Sequence, residues 1–159
     1  MSVFASASWQ LRPAVAADRW SIRRIVVAAR LNPLDLNWRR FLVAERAGRI
    51  AGTIQVRHHT DAARELASLA VMPWAQGDNL GAALIEALCA RTPPPLYLVC
   101  AAAMVGYYER FGFRPIAIRE LPAGMRTYGR LTHAIVAISR ASRLALPRPV
   151  FMRFDAPAA

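Results

Sequence analysis

The segment from Leu69 to Leu88 constrains this fold more than any other part of the chain. The apolar, strand-like run Leu69-Ala70-Val71 is stopped by Pro73. It leads through Gln76-Gly77-Asp78-Asn79 into Leu80, Leu84, Ile85 and Leu88, which recur at helical spacing. A strand that enters a Gly/Asn turn and then a helix aims backbone N–H groups, and the positive end of a helix dipole, at one place. An anion such as a pyrophosphate can be held there without a basic side chain. Gly77 and Gly81 permit close approach, and Asn79 tolerates the left-handed backbone region. Taken alone, the stretch reads first as an ordinary strand–loop–helix connection.

The rest of the chain alternates in the same way. Trp9 to Pro13 reads as a short strand. Asp18 to Arg30 reads as a helix with Trp20, Ile22, Ile25, Val26 and Ala29 on its apolar side, broken by Asn32-Pro33. Asp35 to Trp38 is a short helical or loop segment. Phe41 to Arg46 and Ile50 to His58 form a hairpin around Ala47-Gly48, and Glu65 to Val71 is a third strand. Pro93-Pro94-Pro95 closes the helix Leu80 to Arg91, and Leu96 to Cys100 has the continuous apolar character of a strand covered on both faces. Met104 to Phe111 reads as a short helix stopped at Gly112, followed by a strand at Phe113 to Arg119. Leu121, Met125, Tyr128, Leu131, Ile135 and Ile138 then mark one amphipathic stripe, and Val150 to Phe154 a last strand. The order predicts an α/β (α+β) fold. It has a mixed central sheet of about six to seven strands flanked by helices, with a helical insert at 121–148 before the last strand. With no repeat or linker, 1–159 reads as a single domain.

Composition excludes several classes. Hydrophobic residues are 55% and charged residues 19%, the opposite of a disordered chain. Eleven Pro and eight Gly without a period exclude a collagen-like chain. Two cysteines, Cys89 and Cys100, are too few for a disulfide framework or a structural zinc site, and both read as buried thiols; no metal is expected. All 21 basic side chains are arginine, which reads as a coding bias. The net charge of +11 still favours anionic ligands over polycationic ones. The first residues lack the pattern of a signal peptide, and the longest uncharged run, Pro93 to Tyr108, is shorter than the ~20 residues of a membrane span. A cytoplasmic location is the expectation.

A second motif removes most of the ambiguity of the first. Tyr107-Tyr108-Glu109-Arg110-Phe111-Gly112-Phe113 lies one strand and one helix downstream. Together with Gln76-Gly77-Asp78-Asn79-Leu80-Gly81 it resembles the GNAT superfamily of acetyl-CoA-dependent N-acetyltransferases. That family has the phosphate-loop pattern Arg/Gln-x-x-Gly-x-Gly/Ala and a later Phe-Tyr-Glu-Lys/Arg-x-Gly-Phe signature. The resemblance covers roughly Leu11 to Arg119. Two positions depart from it: Asn79 stands at the middle glycine, and Ala101 stands where many members carry an asparagine.

The resemblance implies acetyl-CoA as co-substrate and an N-acetyltransferase acting by direct attack of an amine. It places the cofactor along the backbone of Leu69, Ala70 and Val71 and in the loop Gln76, Gly77, Asp78, Asn79, Leu80, Gly81 and Ala82. The Leu69 N–H would polarise the thioester carbonyl, and the Asp78 carboxylate is expected to turn to solvent. Tyr108 matches the tyrosine that meets the departing sulfur. Glu65, eleven residues before Gln76, matches the register of a glutamate used as general base in some members. His58 and His59 are further base candidates. Neighbouring strand residues face opposite ways, so at most one of them can face a site. Trp38 falls where the family places an acceptor-lining loop, and His58 is a weaker lining candidate.

The acceptor is expected to be a small-molecule or peptide amine, neutral or anionic; a homodimer is compatible with the sequence. Residues 121–159 hold six Arg and one acid. Arg126, Arg130, Arg140 and Arg143 lie off the apolar stripe, as on a solvated helix face, so no specific nucleic acid is expected. The competing reading is a catalytically weak GNAT-fold binding module that acts through this Arg-rich face on an anionic partner.

Overall fold

The computed structural model describes residues 8–127, 129–130 and 148–155. Its elements are β1 (Gln10–Pro13), α1 (Arg19–Ala28), β2 (Phe41–Arg46), β3 (Arg49–His58), β4 (Arg64–Val71), α2 (Leu80–Arg91), β5 (Leu96–Ala101), α3 (Val105–Glu109), β6 (Phe113–Ile116) and β7 (Pro149–Phe154). They form a mixed seven-stranded sheet in the order β1-β2-β3-β4-β5-β7-β6, with flanking helices, as the sequence predicts. β4 and β5 run parallel, through Arg64↔Leu96 and Glu65↔Tyr97, which requires the crossover that α2 supplies. β7, last in sequence, inserts between β5 and β6 and runs antiparallel to both. The chain forms two compact units: one from residues up to Val56 with Ala67–Arg91, the other from Arg57–Leu66 with residues from Thr92 onward.

In the first unit the β2–β3 hairpin turns through Ala47 and Gly48, at φ 51° and 73°. Two left-handed residues give the turn whose twist matches that of the flanking strands. The register slips between Ala44, opposite Gly52, and Glu45, opposite Ile50. Gly52 lies close beneath α2: a Cβ there would fall 2.9 Å from Leu84 Cδ1, which would have to shift. Ile22 and Val26 of α1 pack with Ala14, Phe41 and Val43, and Trp38, Leu31 and Leu36 cover their rim. Trp20, expected on this apolar side, is 63% exposed instead. Its position falls off the stripe set by Ile22, Ile25 and Val26, since two steps along a helix turn a side chain well away from its neighbour.

Within β4, Ser68 adopts φ 54°. A left-handed non-glycine inside a strand is costly and needs outside support. Two buried β3 side chains supply it: Thr53 Oγ1 donates to the Ser68 carbonyl at 3.1 Å, and Gln55 Nε2 donates to Ser68 Oγ at 2.9 Å.

In the second unit Tyr97, Leu121, Met125 and Phe151 form the core. The expected strand Phe113 to Arg119 ends at Ile116, because Glu120 Oε2 accepts the Ala117 N–H at 2.8 Å and closes a 3-10 turn at Ile118–Glu120. Residues 123–127 and 129–130 are helical. Asp61 Oδ2 accepts the Gly124 N–H at 2.7 Å at the start of this helix, and a Cβ at Gly124 would fall 2.5 Å from Asp61 Oδ1. Leu121 and Met125 are buried as the stripe requires. Arg126 is not on a solvated face: it is half-buried and donates to the Leu121 carbonyl at 3.1 Å. The remainder of the predicted insert, with Leu131, Ile135, Ile138, Arg140 and Arg143, lies outside the described residues. No helix of the described residues is long and apolar enough to cross a membrane.

One charged cluster braces the first unit. Arg12 of β1 donates from Nη1 to Asp18 Oδ2 at 2.7 Å and from Nε to Glu45 Oε2 at 2.8 Å, and Asp18 also accepts the Val15 N–H at 2.8 Å. The Arg12 hydrogen bond, helped by that N–H, holds the Asp18 carboxyl below the ordinary range against the opposing effect of burial. A lowered folded pKa gives stability that is complete above the unfolded carboxylate value and lost as pH falls through the folded one. We expect Asp18→Asn to lose about 2–3 kcal/mol of stability at neutral pH, as for a charged hydrogen bond. The gap to the parent should close in acid, below the ordinary carboxylate range. Denaturant melts at neutral and acid pH check this; an equal deficit at both would remove Asp18 ionisation as the cause.

Candidate active site

The loop after β4 is built by backbone geometry. The Met72 N–H donates to the Ala51 carbonyl at 2.7 Å, and Pro73–Ala75 makes a 3-10 turn. Gln76 Nε2 then donates back to the Val71 carbonyl at 3.2 Å, which tightens the loop. Gly77 has φ 96°, and a Cβ there would meet no atom within 4 Å, so its flank is open. Asn79 has φ 55°, in the left-handed region its side-chain type allows, and its carbonyl accepts the Ala83 N–H at 3.1 Å to start α2. Gln76 to Asn79 are exposed, while Leu80 is buried and anchors the helix. The first N–H groups of a helix have no intrahelical partner, and the first turn of α2 carries no acid. The loop therefore leaves the start of α2 open to solvent, with Gly77 giving room beside it.

Asp78 does not simply turn to solvent. Its Oδ2 accepts Trp9 Nε1 at 3.1 Å and lies 3.5 Å from Arg46 Nη1. Arg46 stacks over the Trp9 ring at 4.0 Å, Trp9 lies 5.9 Å from Trp74, and Arg49 stacks over Trp74 at 4.6 Å. The carboxylate is neutralised and tied to this ladder, which removes the objection to an acid beside a phosphate. Sequence reading missed the ladder because its members come from three distant segments. Trp38 is half-buried against the core of the unit, with Arg39 stacked on its ring at 4.4 Å.

The second unit carries the titratable groups. The His59 N–H donates to the Ala63 carbonyl at 2.9 Å, which closes the β3–β4 turn. By this register Arg57 lies opposite Glu65 and His59 one step along the same face. Glu65 is only 4% exposed. Its Oε2 lies 2.7 Å from His59 Nε2 and 3.7 Å from Arg57 Nη1. Of the two adjacent histidines, His59 joins Glu65, whereas His58 is exposed at the end of β3. Strand parity allows one of the pair to face Glu65, but the choice depends on the length of the turn, which spacing alone does not give.

Tyr108, on α3, is buried with Tyr107 and Phe113 packed edge-on at 5.4 and 6.1 Å. Burial, with smaller contributions from Cys100 and Tyr107, pushes its phenol up to about 12. The phenol is therefore neutral and a hydrogen-bond donor at physiological pH. Cys89 and Cys100 are half-buried rather than fully buried, and burial pushes both thiols up to about 11, so they are unreactive as thiolates. Among the described residues no group of His, Cys, Asp and Glu is placed to hold a metal.

These two halves match known proteins. The family described as acetyltransferase (GNAT) domain matches residues 37–115, which contain both the phosphate-type loop and the Tyr107–Phe113 motif. The chain belongs to this GNAT acetyltransferase family. Similar solved structures include N-acetylglutamate synthase from Neisseria gonorrhoeae complexed with coenzyme A and N-acetyl-glutamate: TM-score 0.76, 18% identity, 96% of this chain and 36% of that one. Rv2747 from Mycobacterium tuberculosis, in complex with CoA and NLQ, is similar at TM-score 0.70 and 18% identity over 93% of this chain and 99% of that one. A GNAT family acetyltransferase from Brucella melitensis, in complex with acetyl-CoA, reaches 25% identity at TM-score 0.53 over 68% of this chain and 84% of that one. The chain spans about a third of the length of the N. gonorrhoeae synthase. Among curated proteins none matches in sequence.

The loop geometry predicts how Asn79 can be changed. Asn79→Gly removes the cost of a left-handed side-chain-bearing residue, ~1–2 kcal/mol at most, and leaves the carbonyl that starts α2. We expect a melting temperature at or above that of the parent, and an undiminished thermal shift with acetyl-CoA. A lost shift would show that the Asn79 side chain itself is required.

Proposed function

We propose that this protein transfers the acetyl group of acetyl-CoA to the primary amine of a small, neutral or anionic acceptor, of the amino-acid class. The observation that carries the cofactor assignment is the loop at Gln76 to Asn79, where Gly77 leaves the approach open and Asn79 launches α2. Support for the acceptor class comes from the net charge of +11 and from the likeness to a synthase bound to N-acetyl-glutamate. A cytoplasmic enzyme, free or as a homodimer, fits this reading. The rival, a module that binds through its basic C-terminal face, draws no support: Arg126 bonds the Leu121 carbonyl just before its helix, and most of that face lies outside the described residues.

In this reading Leu69, Ala70 and Val71 line the pantetheine arm. Gln76, Gly77, Asp78, Asn79, Leu80, Gly81 and Ala82 receive the pyrophosphate, mainly through backbone N–H groups. Acetyl-CoA, when bound, supplies an activated thioester acyl group. The Leu69 N–H donates to its carbonyl oxygen, where negative charge develops during attack. A primary amine arrives protonated and must lose a proton before it can attack. The Glu65–His59 pair accepts that proton. The Glu65 carboxylate, 2.7 Å from His59 Nε2, orients the ring for that role. Tyr108 donates a hydrogen bond to the departing sulfur. With its pKa about 12, full transfer to an ordinary thiolate of about 8.5 is uphill by about 5 kcal/mol, so Tyr108 holds the sulfur while water delivers the proton. Trp38 and His58 remain candidates to line the acceptor.

The roles differ in their pH signature. Glu65→Gln and His59→Gln should each lower kcat about 10²- to 10⁴-fold at neutral pH. The loss should shrink as pH rises toward the pKa of the acceptor amine, because more substrate then arrives neutral. Tyr108→Phe should lower kcat equally across that range and leave acetyl-CoA binding intact. Steady-state rates with an amino-acid amine, followed by CoA release, make the comparison. A Glu65→Gln defect that is flat with pH would remove the pair as base.

A further inference from the structure

We propose that the first unit carries a second ligand site, for a small monocarboxylate with an aromatic or aliphatic body. The site is a cavity of about 540 Å³ among Arg12, Asp18, Glu45, Arg24, Arg49 and Trp74, apart from the residues assigned to catalysis. That volume falls in the range of small-molecule sites, roughly 300–1,000 Å³.

Its chemistry follows from which charges are already spent. Arg12 is committed on every side: Nε and Nη2 to Glu45, Nη1 and Nη2 to Asp18, and Nη1 to the Pro13 carbonyl. It holds the cavity floor rigid and offers nothing further to a ligand. Arg24 of α1 and Arg49 of the hairpin are different: among the described residues neither guanidinium has a carboxylate in ion-pair reach. Arg49 is preorganised by stacking on Trp74 at 4.6 Å. Two uncommitted guanidinium groups on one cavity, one of them fixed in place, form an anion clamp.

The floor decides which anion. One arginine sits there against two carboxylates, a surplus of one negative charge, so the five charged lining groups sum to +1. A monoanion balances that sum, whereas a dianionic phosphate overshoots it and faces the acidic floor. Beside Ser21 and Gly48, the lining includes the apolar side chains Ile25, Ala28, Ile50, Met72 and Trp74, the last 43% exposed. These surfaces take the body of the ligand while its carboxylate lies between the arginines. None of these residues belongs to the Glu65–His59 pair or is Tyr108.

Phenylacetate, benzyl phosphate and 2-phenylethanol probe the site in the full chain, by saturation-transfer NMR and tryptophan fluorescence. Phenylacetate should bind saturably in the presence of saturating acetyl-CoA, and more tightly than either other probe. Arg24→Gln and Arg49→Gln, both at exposed positions, should each weaken it about tenfold, or 1.4 kcal/mol, without lowering the melting temperature. Trp74→Phe should abolish most of the fluorescence response. Competition by acetyl-CoA would overturn the proposal by assigning the cavity to the cofactor. Tighter binding of benzyl phosphate, affinity unchanged in both arginine variants, or no saturable phenylacetate binding at millimolar concentration would each overturn it as well.

Discussion

The left-handed residue inside β4 is the constraint on which the course of the rest of that strand depends. Ser68 at φ 54° interrupts a strand that would otherwise alternate its side chains evenly. Such an irregularity re-aims every residue that follows. Glu65 stands before it in β4, and Leu69 to Val71 stand after it and lead into the Gln76–Asn79 loop. The conformation persists because buried Thr53 and Gln55 bond both the carbonyl and the hydroxyl of Ser68. A buried hydrogen bond is modest in net terms, but its loss leaves a buried polar group unsatisfied, which costs about 1–3 kcal/mol.

The same logic governs the charges. Arg12, Asp78 and Glu65 would each be a liability alone, and each is answered by named partners: Asp18 and Glu45, Trp9 and Arg46, His59 and Arg57. In a chain of net +11, carboxylates are scarce, and among the described residues six of the ten, Asp18, Asp35, Glu45, Glu65, Asp78 and Asp155, are engaged by arginine. Cavities that retain unanswered guanidinium groups are correspondingly informative, and the contrast between Arg12 and the pair Arg24 and Arg49 rests on that. Tyr108 illustrates the complementary case, in which burial without a counter-charge fixes a neutral donor instead of an acid.

Much of this was legible in the sequence. Periodicity placed α1, α2 and six of the strands within a few residues, and Ala47-Gly48 and Gly112 took the left-handed conformations their turns require. The phosphate-type loop was legible because its chemistry is local: a strand end, a glycine, an asparagine and a helix start within a dozen residues, with Asn79 at φ 55°. Trp20 was misplaced because a large apolar residue near a helical stripe reads as part of it, although its angular position lies off the face. The end of β6 was missed because one side chain, Glu120, reaches back to a backbone N–H and closes a turn.

Tertiary structure alone decided what depends on register. The sequence determined that at most one of two adjacent histidines could face a site; the β3–β4 turn, closed from His59 to Ala63, brought His59 to Glu65. The sequence determined that Asp78 carries an awkward charge; only the folding of Trp9 and Arg46 beside it showed how that charge is answered. Nothing in β4 announces that Ser68 is left-handed, since serine is no better suited to that region than most residues and its supports come from another strand. Patterns within one turn or one helix are written in neighbouring residues, so a sequence displays them directly. Partners dozens of residues apart meet only when strand pairing fixes which faces coincide, and a shift of one residue would reverse the answer.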